Sequence, residues 1–327
     1  MTPPLVHWQP TASLQILQLR ARTLARIRQF FDSRKVLEVE TPLLSAAANT
    51  DPQLENFSTL TGSGKRLYLN SSPEFAMKRL LAAGSGPIYQ ICKAFRQEES
   101  GRCHNPEFTL LEWYRPGFDH HQLMDEVEQL VGILLDPPLT PNGSERLAWR
   151  EAFQRHANID PIRADCSGLM KCTRNHGIST TDRLADGDRE GWLDLLMTHV
   201  VQPRLGRGRL TFLFDYPASQ AALSRIDHTV DPPTAERFEL FLEGIELANG
   251  FHELTDSKEQ RQRFLQDRQQ RSKAGLPLPP LDENLLAALE HGLPDCSGVA
   301  LGIDRLLMLI SGTTHIDQVL SFPSARA

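Results

Sequence analysis

The amino-acid sequence predicts an α+β protein built on an antiparallel β-sheet flanked by helices. Helical and strand-like patterns follow one another in uneven clusters rather than in strict β–α–β alternation, an order that favours an antiparallel sheet. The chain of 327 residues is 40% hydrophobic and 23% charged, which suits a globular protein with a sizeable core. We expect one domain, 1–327, with a peripheral insertion at about 137–208, where turn residues are frequent.

The first half of the chain begins with an amphipathic pattern. Apolar residues recur at helical spacing over 14–31, with arginines between them, which predicts a long helix. Residues 36–40 alternate like a short strand that stops before Pro42. The later elements predicted in this half are strands at 66–70, 87–95 and 107–115 and helices at 73–83 and 121–135.

The second half contributes further strands and helices. We expect strands at 210–214 and 237–248, a strongly charged helix at 257–274 that a proline-rich segment ends, and a short helix at 282–291. Residues 298–310 are typical of a strand that runs into a helix.

Composition excludes several classes of protein. No apolar run approaches the roughly twenty residues that span a bilayer, and the first ten residues lack a signal-peptide pattern, so we expect no membrane partner. Five cysteines, an odd number, do not make a disulfide framework and indicate the reducing cytoplasm. The net charge of −6 is modest evidence against a nucleic-acid substrate. Cys166, Cys172 and His176 lack a CxxC pair and a clear fourth ligand, so we predict no zinc site there.

The first chemically informative segment lies between the predicted strands 87–95 and 107–115. Arg96 follows the first strand, and its fork of donors suits a phosphate. An aromatic residue on the return strand could stack on a base. The alternative is a surface hairpin in which Arg96 pairs with Glu98 or Glu99.

The second segment carries Glu246 and Glu253. Because they are seven residues apart, they would fall on opposite faces of a regular strand and would converge only if Asn249 and Gly250 form a turn or bulge. Converging carboxylates suit Mg²⁺ carried on a polyphosphate, or an ammonium group. A solvated hairpin end is the alternative.

The third segment, 298–308, places Arg305 in an apolar strand-to-helix junction after several small residues. A buried arginine needs an anionic or aromatic partner. A structural salt bridge with Asp304 or a neighbour is the competing explanation.

Together these segments resemble, in the correct order, motif 2, the region before motif 3, and motif 3 of class II aminoacyl-tRNA synthetases, specifically the lysyl-tRNA synthetase branch. Residues 36–43 resemble motif 1, with Pro42 at the position that the family uses in its dimer interface. The resemblance covers nearly the whole chain from Arg20 and implies the class II catalytic core, ATP and Mg²⁺ as cofactors, and a homodimer.

The resemblance also implies a role for each motif residue. Arg96 would hold the α-phosphate of ATP and the amino-acid carboxylate during in-line attack. Phe108 would stack on the adenine, with Arg305 on its other face. The other residues implied at the nucleotide site are Gln97, Glu98, Asn105, Glu246, Leu247 and Gly302.

For the metal and the amino acid, the resemblance implies a second set of residues. Glu246 and Glu253 would bind Mg²⁺, with Glu253 also near the substrate's amino group. The residues implied to line the amino-acid pocket are Ser72, Pro73, Glu74 and Tyr114. Arg96, Glu246 and Glu253 would act by positioning and charge stabilisation, because the substrate carboxylate is already ionised and needs no general base.

We expect no anticodon-binding domain, because few residues precede the helix that leads into motif 1. In this truncated form it resembles the elongation factor P lysine ligases, with further matches at 99–108, 214–221 and 293–298. That resemblance implies activation of (R)-β-lysine and its transfer to a lysine of elongation factor P, and it does not predict a tRNA partner.

Ala300 stands where lysyl-tRNA synthetases usually have glycine. The added methyl group would reshape the pocket near the backbone of the amino acid, consistent with a shift towards β-lysine, and drift between two small residues is the alternative. The other functions that stay open are charging of a tRNA with lysine and a catalytically silent paralogue.

Overall fold

The computed structural model describes residues 8–97, 100–135, 143–179 and 187–327. Its α-helices are α1 (Leu14–Asp32), α2 (Glu74–Ala82), α3 (His120–Leu134), α4 (Trp149–Ala157), α5 (Cys166–Asn175), α6 (Arg189–Leu196), α7 (Ser257–Lys273), α8 (Glu283–Gly292) and α9 (Ile303–Ser311). Its strands are β1 (Leu37–Glu38), β2 (Leu44–Ser45), β3 (Ser58–Leu60), β4 (Arg66–Leu69), β5 (Ile88–Phe95), β6 (Glu107–Pro116), β7 (Glu145–Ala148), β8 (Thr211–Pro217), β9 (Ile226–Asp227), β10 (Thr234–Leu242), β11 (Ile245–His252) and β12 (Cys296–Gly302).

The described chain forms two compact units. Unit 1 comprises the described parts of Met1–Phe118 and Glu253–Ala327, and unit 2 those of Asp119–His252. In unit 1, β5 and β6 pair antiparallel, β6 pairs antiparallel with β12, and β1 joins β5 in parallel. A smaller antiparallel sheet has the order β2-β4-β3. These pairings confirm the predicted α+β class for unit 1.

Helix α1 packs its apolar stripe against the sheet of unit 1. The side chain of Ser13 accepts a hydrogen bond from the N–H of Ile16 and caps the helix. Phe31 is fully buried; its ring stacks on Tyr89 at 4.4 Å and meets Trp113 edge-on at 5.4 Å. The predicted helix at 14–31 is therefore confirmed, and its stripe covers one face of β5 and β6.

Asp304, at the start of α9, ties three elements of unit 1 together. Its carboxylate pairs with Arg20 of α1 and accepts the N–H of Thr109 on β6 at 2.7 Å. Because Asp304 is buried, both partners are needed to offset the loss of its hydration. The sequence analysis considered Asp304 as a salt-bridge partner of Arg305. In the structure, the carboxylate of Asp304 pairs with Arg20 instead.

In unit 2, β10 is the central strand. It pairs antiparallel with β11, β8 and β9, and β7 joins β8 in parallel. The chain turns between β10 and β11 at Glu243 and Gly244, both with left-handed φ values of 52° and 75°, as a tight hairpin requires. The prediction of a single strand at 237–248 is therefore wrong, because this turn divides it.

The described part of 137–208, where a peripheral insertion was expected, holds much of the core of unit 2. Helices α4, α5 and α6 bury a cluster that includes Trp149, Phe153, Leu169, Trp192 and Leu193. These helices are short, of 8 to 10 residues, so their stability comes from this packing rather than from local propensity. That residues 137–208 form a peripheral insertion into a single domain stays a prediction, and 137–142 and 180–186 lie outside the described residues.

Within the described residues, no helix combines the length and the apolar character that crossing a membrane requires.

Candidate active site

Strands β5, β6 and β12 build one face of the site in unit 1. Alternate side chains of a strand share a face, so Phe108, Leu110, Glu112 and Tyr114 of β6 lie on the same side of the sheet. On β12, Gly298 pairs with Tyr114, Ala300 with Glu112 and Gly302 with Leu110. Gly298 and Ala300 therefore lie directly beside polar residues of β6, whereas Gly302 lies beside an apolar one.

Lys78 is the centre of a buried ionic cluster on this face. Its ammonium nitrogen lies 2.6 Å from Oε1 of Glu74 and 2.6 Å from Oε2 of Glu253. Helix α2 makes the first contact possible, because residues four apart on a helix are neighbours. Burial disfavours the charged ammonium, yet Glu253 and Glu74 outweigh burial and raise the pKa of Lys78.

Glu112 adds a third carboxyl group to the cluster. It is only 2% exposed and accepts a 2.7 Å hydrogen bond from the hydroxyl of Tyr114. Burial first, and then the charge of Glu74, raises the pKa of Glu112 to about 8. The site thus holds three carboxyl groups against one ammonium, and a further cation beside them would favour the ionised form of Glu112.

Gly298 leaves the space that Tyr114 and Glu253 fill. A Cβ at this position would lie less than 3.0 Å from the ring of Tyr114 and 2.6 Å from Oε1 of Glu253. Both groups belong to the amino-acid side of the predicted site, so the absence of a side chain at Gly298 shapes it. At Gly302, by contrast, the three atoms nearest to such a Cβ would all belong to Arg305, at 3.8 Å or more.

Arg96 follows β5 and lies over the aromatic residue of the return strand. Its guanidinium carbon is 5.1 Å from the ring centroid of Phe108, within cation–π range. Gln97 forms an isolated bridge with Glu55. The alternative pairing of Arg96 with Glu98 or Glu99 involves residues outside the described part of the chain, as does the predicted adenine contact of Glu98.

The loop of motif 2, between β5 and β6, is held by residues from the last part of the chain. The side-chain amide of Asn105 donates to the carbonyl of Glu107 at 2.6 Å, and its Oδ1 accepts from the backbone N–H and the hydroxyl of Ser324. Arg305 donates to Nε2 of His104 at 2.7 Å. Asn105, within the loop, and Arg305, outside it, thus both take part in holding it. Their roles towards the adenine stay predictions.

The amino-acid side of the predicted site begins at α2. Ser72 accepts the N–H of Glu74 at 3.3 Å, and Pro73 precedes the helix as its cap residue. Ser72, Pro73 and Glu74 therefore lie at the N-terminal end of the helix that carries Lys78. Ala300, beside Glu112, is half-buried.

Unit 2 holds the other acidic residue of the predicted metal site. Glu246 of β11 pairs with Phe241, and Ala248 with Leu240, so Leu247 is an extra, bulged residue between them. The register continues unbroken through Asn249 and Gly250. The turn or bulge expected at Asn249 and Gly250 is therefore absent; the bulge lies at Leu247, whose side chain is buried.

The bulge brings Glu246 to the same face as Glu239 of β10. Glu239 pairs with Asn249 and Phe241 with Glu246, and paired residues of antiparallel strands share a face. Burial, and further the charge of Glu246, raises the pKa of Glu239, while Arg237, 2.5 Å away, opposes that rise. Two interacting carboxylates are a hard-oxygen donor set that fits Mg²⁺.

Lys78, Glu112 and Glu239 are site residues that the sequence analysis missed. The sequence held a signal for two of them. Lys78 stands four residues after Glu74 on a predicted helix, and Glu112 two residues before Tyr114 on a predicted strand. Glu239 could be linked to Glu246 only once the hairpin turn between them was known.

Comparisons with known proteins show the family of the chain. The chain matches the family described as tRNA synthetases class II (D, K and N) over residues 4–326. It is 51% identical over 325 residues to the elongation factor P–(R)-β-lysine ligase of Yersinia enterocolitica, covering 98% of each chain. It is 50% identical over 330 residues to the protein of that name from Edwardsiella ictaluri, covering 99% of each. The chain therefore belongs to the class II tRNA synthetase family.

Proposed function

We propose that the protein uses ATP and Mg²⁺ to activate (R)-β-lysine as its adenylate, and that it transfers the β-lysyl group to a lysine ε-amine of elongation factor P. The near-full-length similarity to relatives that carry this activity in their names supports the reaction. The observation that carries the substrate class is the acidic cluster around Lys78, which favours a cationic amine.

The cluster accounts for recognition of the amino acid. A β-lysine brings ammonium groups to a site where Glu74, Glu112 and Glu253 outnumber Lys78. Coulombic attraction at such short distances is strong in a buried site. We assign Glu253 to this pocket, because its contact with Lys78 and its place beside Gly298 hold it there.

The nucleotide binds, in this proposal, beside Arg96 and Phe108. The guanidinium of Arg96 supplies fixed donors to the α-phosphate and to the carboxylate that attacks it. Phe108 offers an aromatic face for the adenine. The stack of Arg96 on Phe108 in the structure keeps the two groups of the proposed nucleotide site together.

We assign Mg²⁺ to Glu246 together with Glu239. These two carboxylates share a face of the β10–β11 hairpin and interact electrostatically. Held by these two residues, Mg²⁺ would supply positive charge that neutralises the phosphates of ATP. The shared binding of Mg²⁺ by Glu246 and Glu253 stays the expectation from the family resemblance.

The reaction has two steps, formation of the adenylate and transfer to the acceptor lysine, and the first needs no general base. The ionised carboxylate of β-lysine attacks the α-phosphorus and pyrophosphate leaves. The neutral ε-amine of the acceptor lysine then attacks the carbonyl carbon, AMP leaves, and the amine loses its proton to solvent. Arg96 stabilises the charge that develops in the first step.

The experiment compares the two acceptors directly. The protein is incubated with ATP, (R)-β-lysine and either elongation factor P or bulk tRNA, and intact mass and labelled product are measured. We expect added mass on elongation factor P, and none with the Arg96→Ala variant, whose fold circular dichroism verifies. Label on tRNA but not on the protein would overturn the proposed acceptor.

A further inference from the structure

Three residues of unit 2 that have no role in the ATP and amino-acid sites described above come together. His120 is the first residue of α3, Glu236 lies on β10, and His252 ends β11. Each offers a nitrogen or oxygen atom, and these atoms all lie within 4.8 Å of one another. Histidine nitrogens with a carboxylate oxygen are a common ligand set for divalent transition metals.

The strand register explains why Glu236 and His252 meet. Arg237 pairs with Phe251, so the next positions outward, Glu236 and His252, face each other on the opposite side of the hairpin. Nδ1 of His252 forms a short hydrogen bond with Oε2 of Glu236. Helix α3 then brings His120 over this pair, with Asp119 capping the helix through a reciprocal bond with Gln122.

His120 is an anomaly that points to a ligand. His120 is only 7% exposed. Among the residues that the structure describes, neither of its ring nitrogens has a hydrogen-bond partner. Burying an imidazole without a partner is costly. A buried nitrogen lone pair beside a histidine–carboxylate pair is the arrangement that a bound cation would satisfy.

We propose that His120, Glu236 and His252 form a binding site for one divalent transition metal ion, with Zn²⁺ the ion that this ligand set suits best. Zinc bonds of about 2.0–2.1 Å place tetrahedral ligand atoms roughly 3.3 Å apart, so the side chains must close in by about 1.5 Å or less. The metal replaces the proton shared by His252 and Glu236, and water takes the fourth position.

Electrostatics support the same site. Burial, with the neighbouring His121 next, lowers the pKa of His120 to about 4, so its ring is neutral and ready to bind a metal at neutral pH. The hydrogen bond from His252 lowers the pKa of Glu236, which keeps that ligand ionised.

The bound metal would stabilise unit 2. It would fasten the N-terminal end of α3 to the far end of the β10–β11 hairpin, so that three separate elements share one set of bonds. Any ion that binds the folded chain alone raises its melting temperature. Activity with ATP does not require this ion, because the site uses none of the residues assigned to the reaction.

The test measures metal binding by the full chain directly. Metal-free protein is dialysed against Zn²⁺ without Mg²⁺, bound zinc is counted, and Co²⁺ is added in a parallel sample as a spectroscopic probe. We expect one ion per chain, a higher melting temperature with Zn²⁺, and tetrahedral Co²⁺ bands without thiolate charge-transfer absorption.

Variants locate the ion. His120→Met keeps an apolar filler in the buried position, and Glu236→Gln keeps the shape of the third ligand. Each variant should lower the affinity for Zn²⁺ by more than about 100-fold. Loss of a residue that only hydrogen-bonds to a metal ligand already lowers metal affinity by about 10–100-fold. His228→Ala, at an exposed histidine of the same unit, and Glu246→Gln, at the predicted Mg²⁺ site, should bind zinc normally.

Three results would overturn the proposal: no stoichiometric zinc on the wild-type chain, unchanged affinity in both ligand variants, or loss of the ion in Glu246→Gln alone. Because the wild-type measurement stands by itself, a variant that fails to fold does not decide the outcome.

Discussion

At the residue scale, the protonation state of Glu112 is set by burial among other acidic groups. In the folded chain the pKa of its carboxyl rises to about 8 from an ordinary value of 4.5. The folded state therefore binds more protons than the unfolded state between these values, and its stability falls as pH rises through that window. Above about pH 8 the contribution is fully lost.

The variant Glu112→Gln tests this account, because glutamine imitates the protonated carboxyl at every pH. We expect its free energy of unfolding to fall less steeply than that of the wild type between about pH 5 and 8. Chemical denaturation across this range measures the difference. Parallel curves for the two proteins would mean that Glu112 titrates normally.

Gly298 and Gly302 form a matched pair on β12. A methyl group at Gly298 overlaps Tyr114 and Glu253, whereas one at Gly302 makes only ordinary contact with Arg305. Overpacking a close-packed site costs about 1–3 kcal/mol.

We therefore expect Gly298→Ala to lower the free energy of unfolding by about that amount and to raise the KM for β-lysine. Gly302→Ala should leave stability within about 0.5 kcal/mol and impair use of ATP if the nucleotide lies where the family resemblance implies. Urea denaturation and steady-state kinetics measure both effects. Equal stability losses in the two variants would contradict the packing seen around Gly298.

At the scale of secondary-structure elements, periodicity predicted the long elements and failed at the turns. Helix α1 and strands β5 and β6 lie within two residues of their predicted bounds, since their apolar patterns are long. The β10–β11 turn was missed because Glu243 is a poor signal for a left-handed position. Glu243 instead accepts the N–H of Gly208, a long-range contact that no local pattern contains.

The same hairpin yields a prediction about the metal. Glu239→Gln removes one carboxylate of the proposed Mg²⁺ site while leaving Glu246 and the register of β10 in place. We expect the Mg²⁺ concentration that gives half-maximal adenylate formation to rise at least about tenfold.

The matched variant Glu243→Gln changes an acidic residue of the same hairpin that lies at the turn and is exposed, so its Mg²⁺ dependence should not change. Titration of activity with Mg²⁺ compares the two. An unchanged requirement in Glu239→Gln would assign the ion to other ligands.

At the scale of the whole molecule, the order of motifs was enough to place the chain in its family, although each motif alone was ambiguous. What the sequence did not predict is the balance of charge at the site. That balance depends on Lys78, Glu112 and Glu253, which three separate elements bring together. Long-range pairing of this kind is set by sheet register, which a single sequence does not specify.

The resemblance to motif 1 also predicts a homodimer, and the structure supports a test of it. Leu37 and Leu44, in and beside that motif, are 57% and 44% exposed, so both side chains are accessible to a second copy of the chain. We expect Leu37→Asp to shift the protein from dimer to monomer in sedimentation velocity. Leu60→Asp, at an apolar residue 60% exposed outside the motif, is the control and should stay dimeric. Identical sedimentation of the two variants would exclude this surface.

Amino-acid-dependent ATP–pyrophosphate exchange tests the central claim most directly, because it reports adenylate formation before any acceptor is involved. With (R)-β-lysine, ATP and Mg²⁺, the wild-type chain should exchange labelled pyrophosphate into ATP, and exchange should be lost in Arg96→Ala. An absence of exchange with every lysine isomer, in protein shown to be folded, would contradict the account.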